Sequence, residues 1–200
     1  MRKIIIAIAI IVGIYGGFRL MKHYHFTPIV NPNPAFSIAQ ALDSFNNVAV
    51  YYNGSVDNVV ERNTAPDGYN LGLKYQCVEF VKRYYYDYYH HKMPDSYGNA
   101  IDFYDKKTAD GSLNKARNLL QFSNPSHTQP QVGDLIVLSG STFNPYGHVC
   151  IVSAVEANRL QVIQQNPGPF APPRVYFDLK ETPDNGFLIK NDKILGWLRK

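Results

Sequence analysis

A cysteine and a histidine able to attack and deprotonate at a carbonyl stand about seventy residues apart in this chain. Cys77 lies in Tyr75-Gln76-Cys77-Val78-Glu79-Phe80-Val81-Lys82-Arg83-Tyr84, and from it hydrophobic residues recur at 77, 81, 84 and 88. That is the stripe of one buried helical face. The thiol therefore falls in the first turn of a predicted helix, where unpaired backbone N–H groups and the positive end of the helix dipole stabilise an anion. A cysteine so placed is expected to be more acidic than the reference value of about 8.5. The matching base is His148, in the strand-like run Gly147-His148-Val149-Cys150-Ile151-Val152.

Such a pair needs a third group that accepts a hydrogen bond from the far ring nitrogen and fixes the tautomer. Gln164 and Asn166, at the end of Leu160-Gln161-Val162-Ile163-Gln164-Gln165-Asn166, follow His148 by 16 and 18 residues. If the two runs pair as antiparallel strands, either amide oxygen returns beside the imidazole, and the two side chains share a face. The residues favour neither. The backbone N–H of Cys77, with help from Gln76, is the candidate oxyanion donor. Cys150, two residues after His148, would share its face about 7 Å along the strand. It reads as a small core residue, because a bridge to Cys77 would silence the nucleophile.

Positioning these residues requires a helix packed on a sheet. The cysteine helix runs to about His90 or His91 and must stop before Pro94. Its tyrosines at 84, 85, 86, 88 and 89 read as packing groups, and His90 and His91 as helix-end cations with no metal-ligand spacing. Upstream, Ser37 to Phe45 suits a short helix, and Val48 to Tyr52 a strand ended by Asn53-Gly54. Residues 99–121 have a looser helical character, broken at Gly111-Ser112. Then Leu135 to Leu138, His148 to Val152 and Leu160 to Asn166 read as short strands with tight connections, an antiparallel meander, and after the proline-rich loop Gly168 to Pro173 a final strand is expected at Ile194 to Leu198.

With 200 residues, 45% of them hydrophobic, the chain suits one globular domain with a sizeable core. Arg2, Lys3, Arg19 and Lys22 account for the whole net charge of +4. Residues 27–200 are balanced, which argues against a nucleic-acid partner. The basic flanks enclose an uncharged run from Ile4 to Phe18. This is shorter than the roughly 20 residues that span a bilayer, but inclusion of Leu20 and Met21 extends it. Residues 1–26 are expected to be a signal anchor or signal peptide that contacts the membrane through residues 4–21. Residues 27–45, opening with Thr-Pro-Ile-Val-Asn-Pro-Asn-Pro, form a stiff spacer and a short helix, and residues 46–200 form the domain, placed outside the cytoplasm.

Cys77 opening a helix, Gly147-His148-Val149 opening a strand and Gln164-Gln165-Asn166 ending the next resemble the CHAP family, the cysteine, histidine-dependent amidohydrolases/peptidases. Residues 72–83, with Ala49-Val50-Tyr51 and Ile194-Leu195-Gly196-Trp197, are also similar to the amidase domain of glutathionylspermidine synthetase/amidase. The resemblance implies an α+β, papain-like (NlpC/P60-like) fold, with a helical N-terminal half packed on an antiparallel sheet. It also implies a cofactor-free, metal-free hydrolase that passes through a thioester. Cys77 would be the nucleophile, His148 the base, and Gln164 or Asn166 the orienter. Family members carry Glu-x-Asn where this chain has Gln164-x-Asn166, so the carboxylate is lost. Peptidoglycan is the expected substrate, and a glutathionylspermidine-like polyamine amide or a non-catalytic binding module are the alternatives.

Overall fold

Leu135–Leu138 is apolar throughout and His148–Val155 nearly so, and each strand buries both sides. Leu135, Val137, Val149 and Ile151 enter one cluster, and Ile136, Cys150 and Val152 enter the other. Strands that are apolar on both faces sit at the centre of a covered sheet. The computed structural model describes residues 28–142 and 144–200, together with residues 6, 10, 12 and 13. Apart from those four helical positions, the expected membrane leader of residues 1–26 lies outside the described residues. Among the described residues no helix is long and apolar enough to cross a membrane.

In chain order the elements are β1 (Ala41–Phe45), β2 (Val48–Tyr51), β3 (Arg62–Thr64), β4 (Asn70–Leu73), α1 (Cys77–Tyr89), a 3-10 helix (Ala100–Phe103), β5 (Ser112–Asn114) and β6 (Leu119–Ser123). They continue with β7 (Leu135–Leu138), β8 (His148–Val155), β9 (Arg159–Ile163), β10 (Arg174–Glu181), β11 (Phe187–Ile189) and β12 (Ile194–Arg199). The main sheet has the order β11-β10-β9-β8-β7-β12-β6-β5, with every neighbouring pair antiparallel. The hairpins β1-β2 and β3-β4 stand apart from it. Helix α1 covers one face, placing Phe80, Val81, Tyr84 and Tyr85 against Val149, Ile151 and Leu198. On the other face Trp197 and Ile136 pack with Leu179 of β10 and Ile189 of β11.

The expected α+β class and the antiparallel meander are present, but the helical N-terminal half is not. From residue 28 onward, α1 is the only α-helix among the described residues. Ser37 to Phe45 does not form the predicted helix. Ala39 adopts a φ of 70°, and Asn46 and Asn47 at 48° and 64° supply the paired positive φ values of a tight hairpin turn, so Ala41–Phe45 pairs with Val48–Tyr51 instead. Residues 99–121 keep only the 3-10 turn of their expected helical character. Gly111 and Asn118 both turn at positive φ, and β5 and β6 extend the sheet edge beside β12.

The tyrosines behave as packing groups. Tyr84 stacks on Phe45 at 5.6 Å between ring centroids, and Tyr86 donates to Asp67 Oδ2 at 3.0 Å. His91 is buried, and its Nε2 meets the Arg117 carbonyl at 2.9 Å. Tyr85 ties α1 to the sheet, with its hydroxyl 3.1 Å from the Gly133 carbonyl and 3.2 Å from that of Leu198. Tyr85→Phe removes this donor from two buried acceptors. It should lower unfolding free energy by about 1–3 kcal/mol, measured by urea denaturation.

Candidate active site

Cys77 is the first residue of α1, and its preceding residue Gln76 has the extended backbone of an N-cap. The thiol is almost enclosed, with 8% of the residue exposed. The backbone amides of Val149, Val78 and Cys77 itself lie against the sulfur and favour its anion, yet burial outweighs them and pushes the thiol pKa up. The acidification expected from the helix position is therefore overturned by desolvation. The Val149 amide next to the sulfur brings the cysteine helix to the start of β8, where His148 is the first residue.

Gly147 sets that start. It has a φ of 76°, and a Cβ there would lie 2.5 Å from the Leu138 carbonyl oxygen. Only glycine allows this turn into β8 beside β7. His148 Nε2 then lies 3.0 Å from Gln164 Oε1. The amide of Gln164 cannot face the other way without loss, because its Nε2 donates to the Pro172 carbonyl at 3.2 Å. Its oxygen is thus the end presented to the ring, which assigns the imidazole proton to Nε2 and leaves the Nδ1 lone pair free. Burial lowers the His148 pKa to about 4 against the opposing hydrogen bond from Gln164. Both shifts favour a neutral thiol and a neutral imidazole.

Asn166, the other candidate orienter, does not meet the ring. Gln164 follows the last residue of β9, and by Asn166 the chain has turned out of the strand at a φ of 57°. Asn166 Nδ2 instead donates to Gln76 Oε1 at 2.8 Å and to the Val56 carbonyl at 3.0 Å. Gln76 in turn uses its Nε2 on the Val56 and Asn58 carbonyls, at 3.0 and 2.8 Å. Both amide hydrogens are engaged, so in this conformation Gln76 steadies the approach to the helix and has none left for an oxyanion. Cys150 lies in the Trp197 cluster, on the sheet face away from Cys77. Both cysteines are free thiols.

One part of the site had no role in the sequence reading. Glu79, two residues after the cysteine and 1% exposed, accepts from Asn63 Nδ2 at 2.7 Å, Arg83 Nε at 2.7 Å and Gln165 Nε2 at 2.8 Å. Gln165 also donates to the Gln76 carbonyl at 3.0 Å and accepts from the Tyr51 amide at 2.8 Å. This network joins β2, β3, α1 and the segment after β9. The legible signal was the Glu79/Arg83 pair at i,i+4, on the helix face opposite the Cys77 stripe. Glu79→Ala would strand a largely buried guanidinium. It should cost about 3–5 kcal/mol in chemical denaturation and loosen the Cys77 turn.

The model of the CHAP domain matches residues 67–166, a span that holds Cys77, His148, Gln164 and Asn166. The chain is 31% identical over 112 residues to the bifunctional glutathionylspermidine synthetase/amidase of Escherichia coli (strain K12), covering 55% of this chain and 18% of that protein. It is 30% identical over 137 residues to the glutathionylspermidine synthase of Crithidia fasciculata, covering 64% of this chain and 19% of that one. The chain thus spans about a fifth of the length of these curated relatives. A solved structure described as Ly7917 with the hydrolyzing product of MDP overlaps it at 29% identity and a TM-score of 0.27, over 38% of this chain and 30% of that one. With half of its length matched, and the cysteine and histidine of the site inside the match, the chain belongs to the CHAP domain family.

Proposed function

We propose that this chain is a cysteine-dependent amide hydrolase of papain-like architecture, with Cys77 as nucleophile, His148 as base and acid, and Gln164 as the positioning residue. The contact between His148 Nε2 and Gln164 Oε1 at 3.0 Å carries this reading. It fixes the ring in the tautomer whose free Nδ1 can take a proton, and α1 delivers the thiol to the same strand start.

Because burial favours a neutral resting pair, Nδ1 removes the thiol proton as the sulfur attacks the amide carbonyl. The tetrahedral oxyanion is held by backbone amides at the start of α1. Collapse breaks the C–N bond, and the amine leaves with the proton from Nδ1, giving a thioester. Water, deprotonated by Nδ1, then attacks the thioester and releases the acid and the thiol. A carboxamide in place of the family's carboxylate positions the ring while favouring imidazolium less than a charge would. This agrees with a base that stays neutral over most of the pH range.

The substrate proposed is an amide or peptide bond of peptidoglycan, with the domain outside the cytoplasm. Support comes from the basic-flanked apolar run and the proline-rich spacer before the domain. A second reading, hydrolysis of a glutathionylspermidine-like amide, is favoured by the 31% identity with the synthetase/amidase.

Mass spectrometry of products from the full chain, given purified peptidoglycan or glutathionylspermidine, separates the two readings. Cys77→Ala and His148→Ala should each abolish turnover, whereas Cys150→Ala should retain it. Full activity in Cys77→Ala would refute the assignment. Gln164→Ala should lower kcat by about 10²-fold, the lower range for general acid–base groups. The acid limb of kcat/KM should lie near pH 4, because protonation of His148 removes the base. In Gln164→Glu the new carboxylate favours imidazolium, so the limb should move about 1–3 units to higher pH. An unmoved limb would detach residue 164 from the ring.

A further inference from the structure

A cavity of about 350 Å³ opens between the N-terminal segment and the loop Pro167–Pro173, with Gln164 in its lining. Phe36, Leu42 and Tyr52 line one side, and Pro169, Phe170 and Pro172 line the other. The volume lies within the usual range for small-ligand sites, about 300–1,000 Å³. Gln164 joins the cavity to the catalytic pair, since the residue lines the one and its Oε1 meets the imidazole of the other. The two walls are held together by Asn33, whose Nδ2 donates to the Pro169 carbonyl at 3.0 Å. Phe36 and Leu42 lie before the segment matched to the family.

The chemistry of the lining is selective. Among the described residues it contains no Asp, Glu, Lys, Arg or His. Besides the hydroxyls of Tyr51 and Tyr52, its polar side chains are four carboxamides, and three have both ends engaged: Asn33 with the Pro169 carbonyl and the Ala35 amide, Asn53 with the Ser55 and Asn58 carbonyls and the Tyr75 amide, and Gln164 with the Pro172 carbonyl and His148. Asn166 is the exception, for its Oδ1 is buried with no partner. Its orientation is fixed, because Nδ2 already serves two acceptors, Gln76 Oε1 and the Val56 carbonyl. A buried acceptor without a donor is costly, and this one is closed off from the open space of the cavity.

Resting on the hydrolase reading above, we propose that this cavity is the subsite for the substituent beside the scissile amide. It takes an uncharged, largely apolar group, as an N-acylated sugar or a neutral peptide unit presents. A polyammonium chain is excluded, because no carboxylate in the lining would offset the loss of its hydration. Leu42 and the loop Pro167–Pro173 then determine specificity without taking part in bond cleavage.

Binding is tested apart from catalysis by titrating the full Cys77→Ala chain with N-cyclohexylacetamide and with N-(3-aminopropyl)acetamide, followed by amide NMR shifts. The neutral amide should give saturable shifts at Leu42, Tyr52 and Ala171. The cationic amide should bind at least tenfold more weakly, and Leu42→Trp or Ala171→Trp should remove the neutral amide's shifts. Equal binding of the two amides, or shifts confined to other residues, would overturn the subsite. In chains with the native cysteine, an unchanged KM in both tryptophan variants would also overturn it while leaving the hydrolase assignment intact. Selective binding without any turnover would instead uphold the subsite and count against the proposed catalysis.

Discussion

A carboxylate with almost no access to water governs the layout of this domain. Glu79 is 1% exposed, and a buried charge is tolerated only when it is paired and its lone pairs are hydrogen-bonded. The fold meets that demand from three directions: Arg83 one turn along the same helix, Asn63 from the β3-β4 hairpin, and Gln165 from the segment after β9. Arg83 is itself held by the Ala49 carbonyl of β2. Satisfying one charge therefore fixes the relative placement of four otherwise separate pieces of chain. The cysteine turn and the residue beside the imidazole are two of them. Gln164 and Gln165 are consecutive, so the side chain that reaches the carboxylate also sets the strand end from which its neighbour reaches the ring.

Electrostatics within the site follow from the same enclosure. Three amides near the sulfur favour a thiolate, and the dipole of α1 acts in the same sense, yet desolvation prevails and the thiol pKa is raised. The imidazole is pushed the other way for the same reason. Burial thus disfavours charge on both partners, and the carboxamide at 164 adds none. This enclosure acts against a separated ion pair at rest. Charge appears only as a carbonyl is attacked, where the prearranged amides at the helix start can meet it.

The chemistry-bearing positions were legible because each rests on a local pattern. The stripe through Cys77, Val81 and Tyr84 marks a helix, and Gly147-His148 marks a turn into an apolar strand. The meander from Leu135 onward and the closing strand at Ile194 were also readable from apolar runs and turn residues. What escaped depends on contacts far apart in sequence. Ser37 to Phe45 has a plausible helix composition, but the paired asparagines at 46 and 47 turn the chain into a hairpin, and Phe45 gains a stacking partner in Tyr84. The choice between Gln164 and Asn166 could not be read from spacing, because it depends on the chain leaving the strand before 166. The role of Gln165 was hidden for the same reason, since nothing near it in sequence reveals a carboxylate on another element.

The strand order carries a consequence for how the protein is made. β12 does not lie at an edge; it is inserted between β7 and β6, and its Trp197 and Leu198 are fully buried in the two clusters. A ribosome releases β5 to β11 before β12 can take this place. Until then β6 and β7 each present an unpaired edge at the centre of the sheet, a surface open to pairing with another chain. During synthesis, chaperone cover would protect the nascent domain most in the interval before those buried residues arrive.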